Sequence, residues 1–188
     1  LEELDCYSCK NLIKIPKIKT LKKLNCHDTT INEIPEILDR LEELYCYSCE
    51  NLKKIPNIKI LKKLICCYTN INEIPEILEC LEELNCCGCK NLKKINIKIL
   101  KKLNCGYTNI NEISEILECL EELDCYGCEN LIKIPNIKIL TKLNCSSTNI
   151  NEIPEILNCL EELYCDNCAN LIKIPEIETT YFCRKRQK

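Results

Sequence analysis

The chain of 188 residues holds no Met and no Trp, one Phe, one His and three Gly. Each scarcity closes off a class of function. With His27 as the sole imidazole, no repeated Ser-His-Asp or Cys-His grouping can be assembled for nucleophilic catalysis. Gly88, Gly106 and Gly127 are the only glycines, so there is no glycine-rich loop to cradle a phosphate. No apolar run approaches the ~18 residues of a membrane-spanning helix. The balance of 26 basic against 29 acidic residues leaves a net charge of -3, too weak a field to imply nucleic acid or an acidic membrane. Abundant Ile, Lys and Asn fit AT-rich coding. The chain opens at Leu1, inside the grammar of its own repeat, so a fragment of a longer protein is expected and no weight falls on the missing leader peptide.

What the chain does have is one twenty-residue phrase. Leu1-Glu-Glu-Leu-Asp-Cys6 returns at Leu21, Leu41, Leu61, Leu81, Leu100, Leu120, Leu140 and Leu160. A fixed short period means a solenoid, whose units (rungs) bury their apolar faces only against their neighbours. Odd rungs read Leu-Glu-Glu-Leu-x-Cys-x-x-Cys-x-Asn-Leu, and even rungs read Leu-Lys-Lys-Leu-x-Cys-x-x-Thr-x-Ile-Asn. The fifth rung is one residue short at Ile95-Asn96-Ile97, and the sixth has Ser114 where proline is usual, so an irregular back is expected there. Positions three to seven of each rung alternate outward and inward with the period of a strand, placing Leu4 and Cys6 inside and Glu3, Asp5 and Tyr7 outside. Proline after the Ile-rich return of seven rungs favours a short turn path, and 3-10 or single helical turns are expected around Glu36-Ile37-Leu38-Asp39.

The motif Leu-x-x-Leu-x-Cys-x-x-(Cys/Thr)-x-x-Leu-x-x-Ile-Pro resembles the leucine-rich repeat, in nine in-phase copies over 1–179. Composition and repeat style are similar to those of leucine-rich-repeat proteins encoded by giant viruses of amoebae. The resemblance implies an α/β solenoid, an arc or horseshoe with a parallel concave β-sheet and short 3-10 or irregular convex segments. Residues 180–188 form a basic tail, in which Tyr181 and Cys183 imitate the fourth and sixth positions of a partial capping strand.

The chain has 20 cysteines. Nine stand at position six of a rung and five at position nine of odd rungs, the spacing of a core rather than of a disulfide scaffold. That favours a reducing, cytoplasmic compartment, the host's if the chain is viral. The Cys-x-x-Cys pairs also invite zinc. However, pairs recurring every second rung stand ~10 Å apart and do not offer four ligands to one ion. Cys67 and Cys87 break the pattern at position seven of adjacent rungs and are the reactive-thiol candidates, able to pair with each other or hold a soft metal. The alternative is drift at an exposed site. Cys80, Cys119 and Cys159 recur just before odd-rung leucines, two rungs apart.

Outward positions carry a Glu/Lys ladder, Glu3-Lys23-Glu43-Lys63 onward, which pins the order of rungs and cancels a net field. The back is expected to alternate in the opposite sense, Lys53 and Lys54 facing Glu73 and Glu76. Among the charges stand exposed aromatics. Tyr45, Tyr47, Ile65, Tyr68 and Tyr126, flanked by Tyr7 and His27, form the candidate protein-binding set on the concave sheet. The expected function is a non-enzymatic protein-protein interaction module. Two alternatives stay open: a substrate-recognition arm of a larger enzyme such as a ubiquitin ligase, and a thiol-rich metal-binding or redox protein. No metal or cofactor is expected, and neither nucleic acid nor a membrane is expected as a partner.

Overall fold

A computed structural model describes residues 1–176 and 180–182, the last three by backbone alone. Nine three-residue strands occupy the same place in successive rungs: β1 Glu3–Asp5, β2 Lys23–Asn25, β3 Glu43–Tyr45, β4 Lys63–Ile65, β5 Glu83–Asn85, β6 Lys102–Asn104, β7 Glu122–Asp124, β8 Lys142–Asn144 and β9 Glu162–Tyr164. A tenth, β10 at Thr180–Phe182, pairs with β9 with Tyr181 opposite Leu163. All ten form one parallel sheet in chain order, with leucine opposite leucine from β1 to β9. Cys183 and the rest of the basic tail lie outside the described residues.

The strands are short because position eight turns the chain. Ser8, Asp28, Ser48, Tyr68, Gly88, Tyr107, Gly127, Ser147 and Asn167 all have φ between 54° and 73°. This left-handed conformation breaks the pleat and sends position nine back into the core. At that point Cys49 and Cys89 are fully buried, as are Leu44, Cys46 and Leu84 within a percent. Each such leucine contributes ~1.5–3 kcal/mol by leaving water. One apolar cluster runs from Ile15 to Cys165.

Small buried groups fit because each finds a carbonyl. Thr29 donates its hydroxyl to Cys26 O at 2.7 Å, and the Cys49 thiol from the next rung donates to the same oxygen at 3.1 Å. Thr69/Cys89, Thr108/Cys128 and Thr148/Cys168 repeat this on Cys66, Cys105 and Cys145. Position-six thiols point the other way, as Cys26 donates to Tyr45 O of the following rung at 3.4 Å. The alternation of Cys and Thr at position nine is therefore a hydrogen-bonded seam between rungs.

The parallel solenoid matches the sequence expectation, but its helical component does not. Among the described residues there is no helix of any kind, so neither the α/β class nor the 3-10 turns at residues 36–39 are seen. Even rungs instead close two isolated turns, Leu38 N to Pro35 O and Leu41 N to Leu38 O. A 3-10 segment needs consecutive bonds of that kind, and here Leu38 plunges into the core between them. Odd rungs make a tighter turn, Ile58 N to Pro56 O, which offsets the extra residue they spend on Asn51-Leu52. In the sixth rung Ser114 O accepts Leu117 N, so the turn survives without proline. Beside the shortened fifth rung a groove of about 610 Å³ opens between Leu78, Ile97, Ile99 and Ile116.

Candidate protein-binding face

The outward side of the sheet is built in rows that run across the strands. At position three, Lys23, Lys63, Lys102 and Lys142 each bridge forward to Glu43, Glu83, Glu122 and Glu162 at 2.8–3.4 Å. At position two, Lys22, Lys62 and Lys101 bridge backward to Glu2, Glu42 and Glu82 at 2.7–3.0 Å. An even rung thus ties itself to both neighbours with adjacent lysines. These pairs are largely exposed and contribute ~0.2–1 kcal/mol each. The back is less regular. Lys53 and Lys54 make no ion pair with Glu73 or Glu76, whereas Lys133–Glu115 and Lys173–Glu155 do pair.

Position five governs the strand ends. Asp5, Asn85, Asn104, Asp124 and Asn144 each accept the backbone N–H two residues on, at 3.0–3.2 Å. Tyr45 replaces that device. Its hydroxyl donates to Glu43 Oε2 at 2.8 Å, and Lys23 and Lys63 stand 5.4 and 5.9 Å from its ring. Burial, and then the bond to Glu43, push the Tyr45 phenol up to about 12, and the same bond holds the Glu43 carboxyl low. Ile65 lies beside Tyr45 in the next strand. Asp124 takes the place held by Asn in neighbouring rungs, and burial raises its pKa.

Position seven carries the aromatic stack. Tyr7 and His27 stack at 5.0 Å, and His27 and Tyr47 at 4.2 Å, all within 17° of parallel. His27 Nδ1 lies 2.7 Å from Asn25 Oδ1, which orients the ring. The row then changes to Cys67 and Cys87. The Cys67 thiol donates to Asn85 Oδ1 at 2.9 Å, and burial pushes it up to about 11; burial also raises Cys87. Both are thiols at neutral pH, which slows disulfide exchange.

Position eight adds the second aromatic group. Tyr68 lies over Gly88, where a Cβ would come within 2.5 Å of its ring, and Tyr107 lies over Gly127 in the same way, at 2.8 Å. Tyr107 meets Tyr126 edge-on at 5.0 Å. The structure therefore brings the named residues together in two groups, not one. Tyr7, His27, Tyr47, Tyr45 and Ile65 form the first; Tyr68 joins Cys87, and Tyr126 joins Tyr107, further along. Tyr107, at the same rung position as Tyr68, stands outside the candidate set named from the sequence. The signal was there, since both position-eight tyrosines precede a rung with glycine at position eight.

The core thiols are occupied differently. The Thr29 proton is committed to Cys26 O, and that same oxygen takes the Cys49 S–H, so the neutral thiol is the form that fits. The described cysteines other than Cys165 are free thiols, and among the described residues no three His, Cys, Asp or Glu side chains converge as metal ligands would.

This architecture has solved counterparts. The functional domain of InlJ from Listeria monocytogenes, described as including a cysteine ladder, superposes with a TM-score of 0.75 at 21% identity, over 93% of this chain and 48% of that one. The fold is that of the leucine-rich-repeat proteins. The leucine-rich-repeat ectodomain of the Arabidopsis receptor kinase GASSHO1/SCHENGEN3, solved with Casparian strip integrity factor 2, matches with a TM-score of 0.54 at 19% identity, over 89% of this chain and 29% of that one. The Arabidopsis receptor kinase HAESA, solved with the peptide hormone IDA and the co-receptor SERK1, gives 0.60 at 19%, over 89% and 36%. The chain spans about half the InlJ chain and about a third of each receptor chain. No protein-family model matches the sequence, and no curated protein matches it.

Proposed function

We propose that this leucine-rich-repeat chain is a non-enzymatic binding module that takes a protein partner on the outward face of its sheet. The observation that carries the reading is the continuous aromatic stack Tyr7–His27–Tyr47, standing beside Tyr45 and Ile65 on a surface whose charges are already paired. Paired Glu and Lys leave no net field to attract a polyanion, while pre-stacked rings lose little freedom when covered. The solved complexes of HAESA with the peptide hormone IDA and of GASSHO1 with Casparian strip integrity factor 2 support a protein or peptide as the partner class. The location proposed is a reducing cytoplasm, where the cysteines remain thiols.

The test uses substitutions that the solenoid already tolerates in register. Tyr45→Asn, Tyr47→Ser and Tyr68→Ser install residues found at the same positions in Asn85, Ser146 and Ser48. A partner captured by the native chain and lost by the triple variant, at unchanged thermal midpoint, supports the sheet face. Equal capture by both chains overturns it.

A further inference from the structure

The edge where each rung turns into the next strand carries an apolar row unrelated to the aromatic face. Each turn closes by one bond, such as Leu100 N to Ile97 O or Leu120 N to Leu117 O, and displays its two middle residues. The second of these reads Ile60, Cys80, Ile99, Cys119, Ile139 and Cys159 over six consecutive turns. Ile60 and Ile139 are 38% and 44% exposed, and the three cysteines are exposed free thiols. Bonds from Lys101 N to Glu82 O, Glu121 N to Lys101 O and Thr141 N to Glu121 O hold the adjoining residues in register, so the row is continuous and about 24 Å long at the usual strand spacing. Turn sites favour Gly, Asn and Asp, and the first two turns obey a polar rule with Thr20 and Arg40. Ile60 and Ile139 break that rule and stay in water, while Ile99 between them also packs partly against the core.

The charges flanking the row say what fits it. Before it stand Lys59, Glu79, Lys98, Glu118, Lys138 and Asn158; after it stand Lys62, Glu82, Lys101, Glu121, Thr141 and Glu161. Signs alternate because odd and even rungs alternate. A two-fold axis passing between the turns of Ile99 and Cys119 exchanges odd with even. It places Lys98 against Glu118, Glu79 against Lys138, Lys101 against Glu121 and Lys62 against Glu161, with no like charges opposed. Isoleucine meets cysteine throughout. Any arrangement matching each turn with itself sets like charges together. The occupant is therefore a second copy of this chain, running antiparallel, across a self-complementary contact. We infer that the Ile60–Cys159 turn edge is a homodimer interface, small enough to be of the weak, concentration-dependent class.

Sedimentation of the full chain under reducing conditions tests this. The native chain is expected to shift from monomer to dimer with rising concentration, and Ile139→Glu to stay monomeric with an unchanged thermal midpoint. The register is tested by two charge-reversed chains, Lys98→Glu with Lys101→Glu in one and Glu118→Lys with Glu121→Lys in the other. Each alone is expected to be monomeric, and an equimolar mixture to dimerise. Ile99→Cys places a thiol opposite Cys119 of the second copy. Two such thiols lose two protons and two electrons to oxidised glutathione, which leaves as two thiols, and a covalent dimer results. A native chain that stays monomeric, a mixture that does not associate, or native cross-linking through Cys119 to Cys119 would each overturn the interface.

Discussion

Two neighbouring rows of the same strand end behave in opposite ways. Position six is cysteine in all nine rungs, from Cys6 to Cys165, whereas position seven reads Tyr, His, Tyr, Cys, Cys, Gly, Tyr, Ser and Asp. One side chain points into a core where space and hydrogen bonds recur every rung, and the next lies on the outward face, where burial changes from exposed Tyr7 to buried Ser146. Repetition marks what the stack requires of every rung, and departure from repetition marks where one stretch of surface differs from another. The stacked rings at one end, and Tyr45 and Ile65 where Asn or Asp is usual, are such departures.

Core and surface should therefore differ sharply in their response to substitution. Leu84→Ala, in the middle of the leucine row and 1% exposed, should cost ~2–5 kcal/mol in urea unfolding. A smaller loss would mean that the inner rows are not tightly packed. Gly88→Ala sits between the two regimes. Its φ of 73° and the Tyr68 ring predict a loss of ~1–2 kcal/mol, and Tyr68→Ser in the same chain should recover the steric part but not the backbone part. Additive losses would show that ring and glycine are not coupled.

Outward substitutions should move stability little. Lys63→Glu leaves a glutamate between Glu43 and Glu83 and should cost at most about 1 kcal/mol, less in high salt. A larger effect would promote the ladder from guide to structural requirement. Asp124→Asn should be the smallest and is read best against pH. The folded carboxyl titrates above its unfolded value, so its contribution is most favourable at low pH and is lost as pH rises through the folded pKa. The amide variant should therefore melt higher at pH 7 and level with the native chain near pH 3. A lower midpoint at pH 7 would assign Asp124 a favourable charged contact.

Sequence reading went furthest where geometry is dictated locally. The inward Leu and Cys rows, the parallel sheet and the Glu/Lys order all follow from a twenty-residue period, and strand register repeats it from Glu3↔Lys23 onward. The convex side was misjudged because a turn-forming Pro-Glu-Ile-Leu stretch is compatible with either a helical turn or two separate β-turns. The choice between them is made by Leu38, which must reach the core. The aromatic set was named, but its division into a stack and a separate Tyr107–Tyr126 contact depends on which ring leans on which rung.

By itself the sequence determined that the rungs stack, in which order, and which side chains face inward, because apolar period and alternating charge act on every rung alike. Only the tertiary structure decided that position eight is left-handed, that Tyr68 and Tyr107 lie over glycines, and that six turns align Ile with Cys along one edge. Those relations join residues about twenty positions apart, and they exist only once neighbouring rungs are held a strand's width from one another.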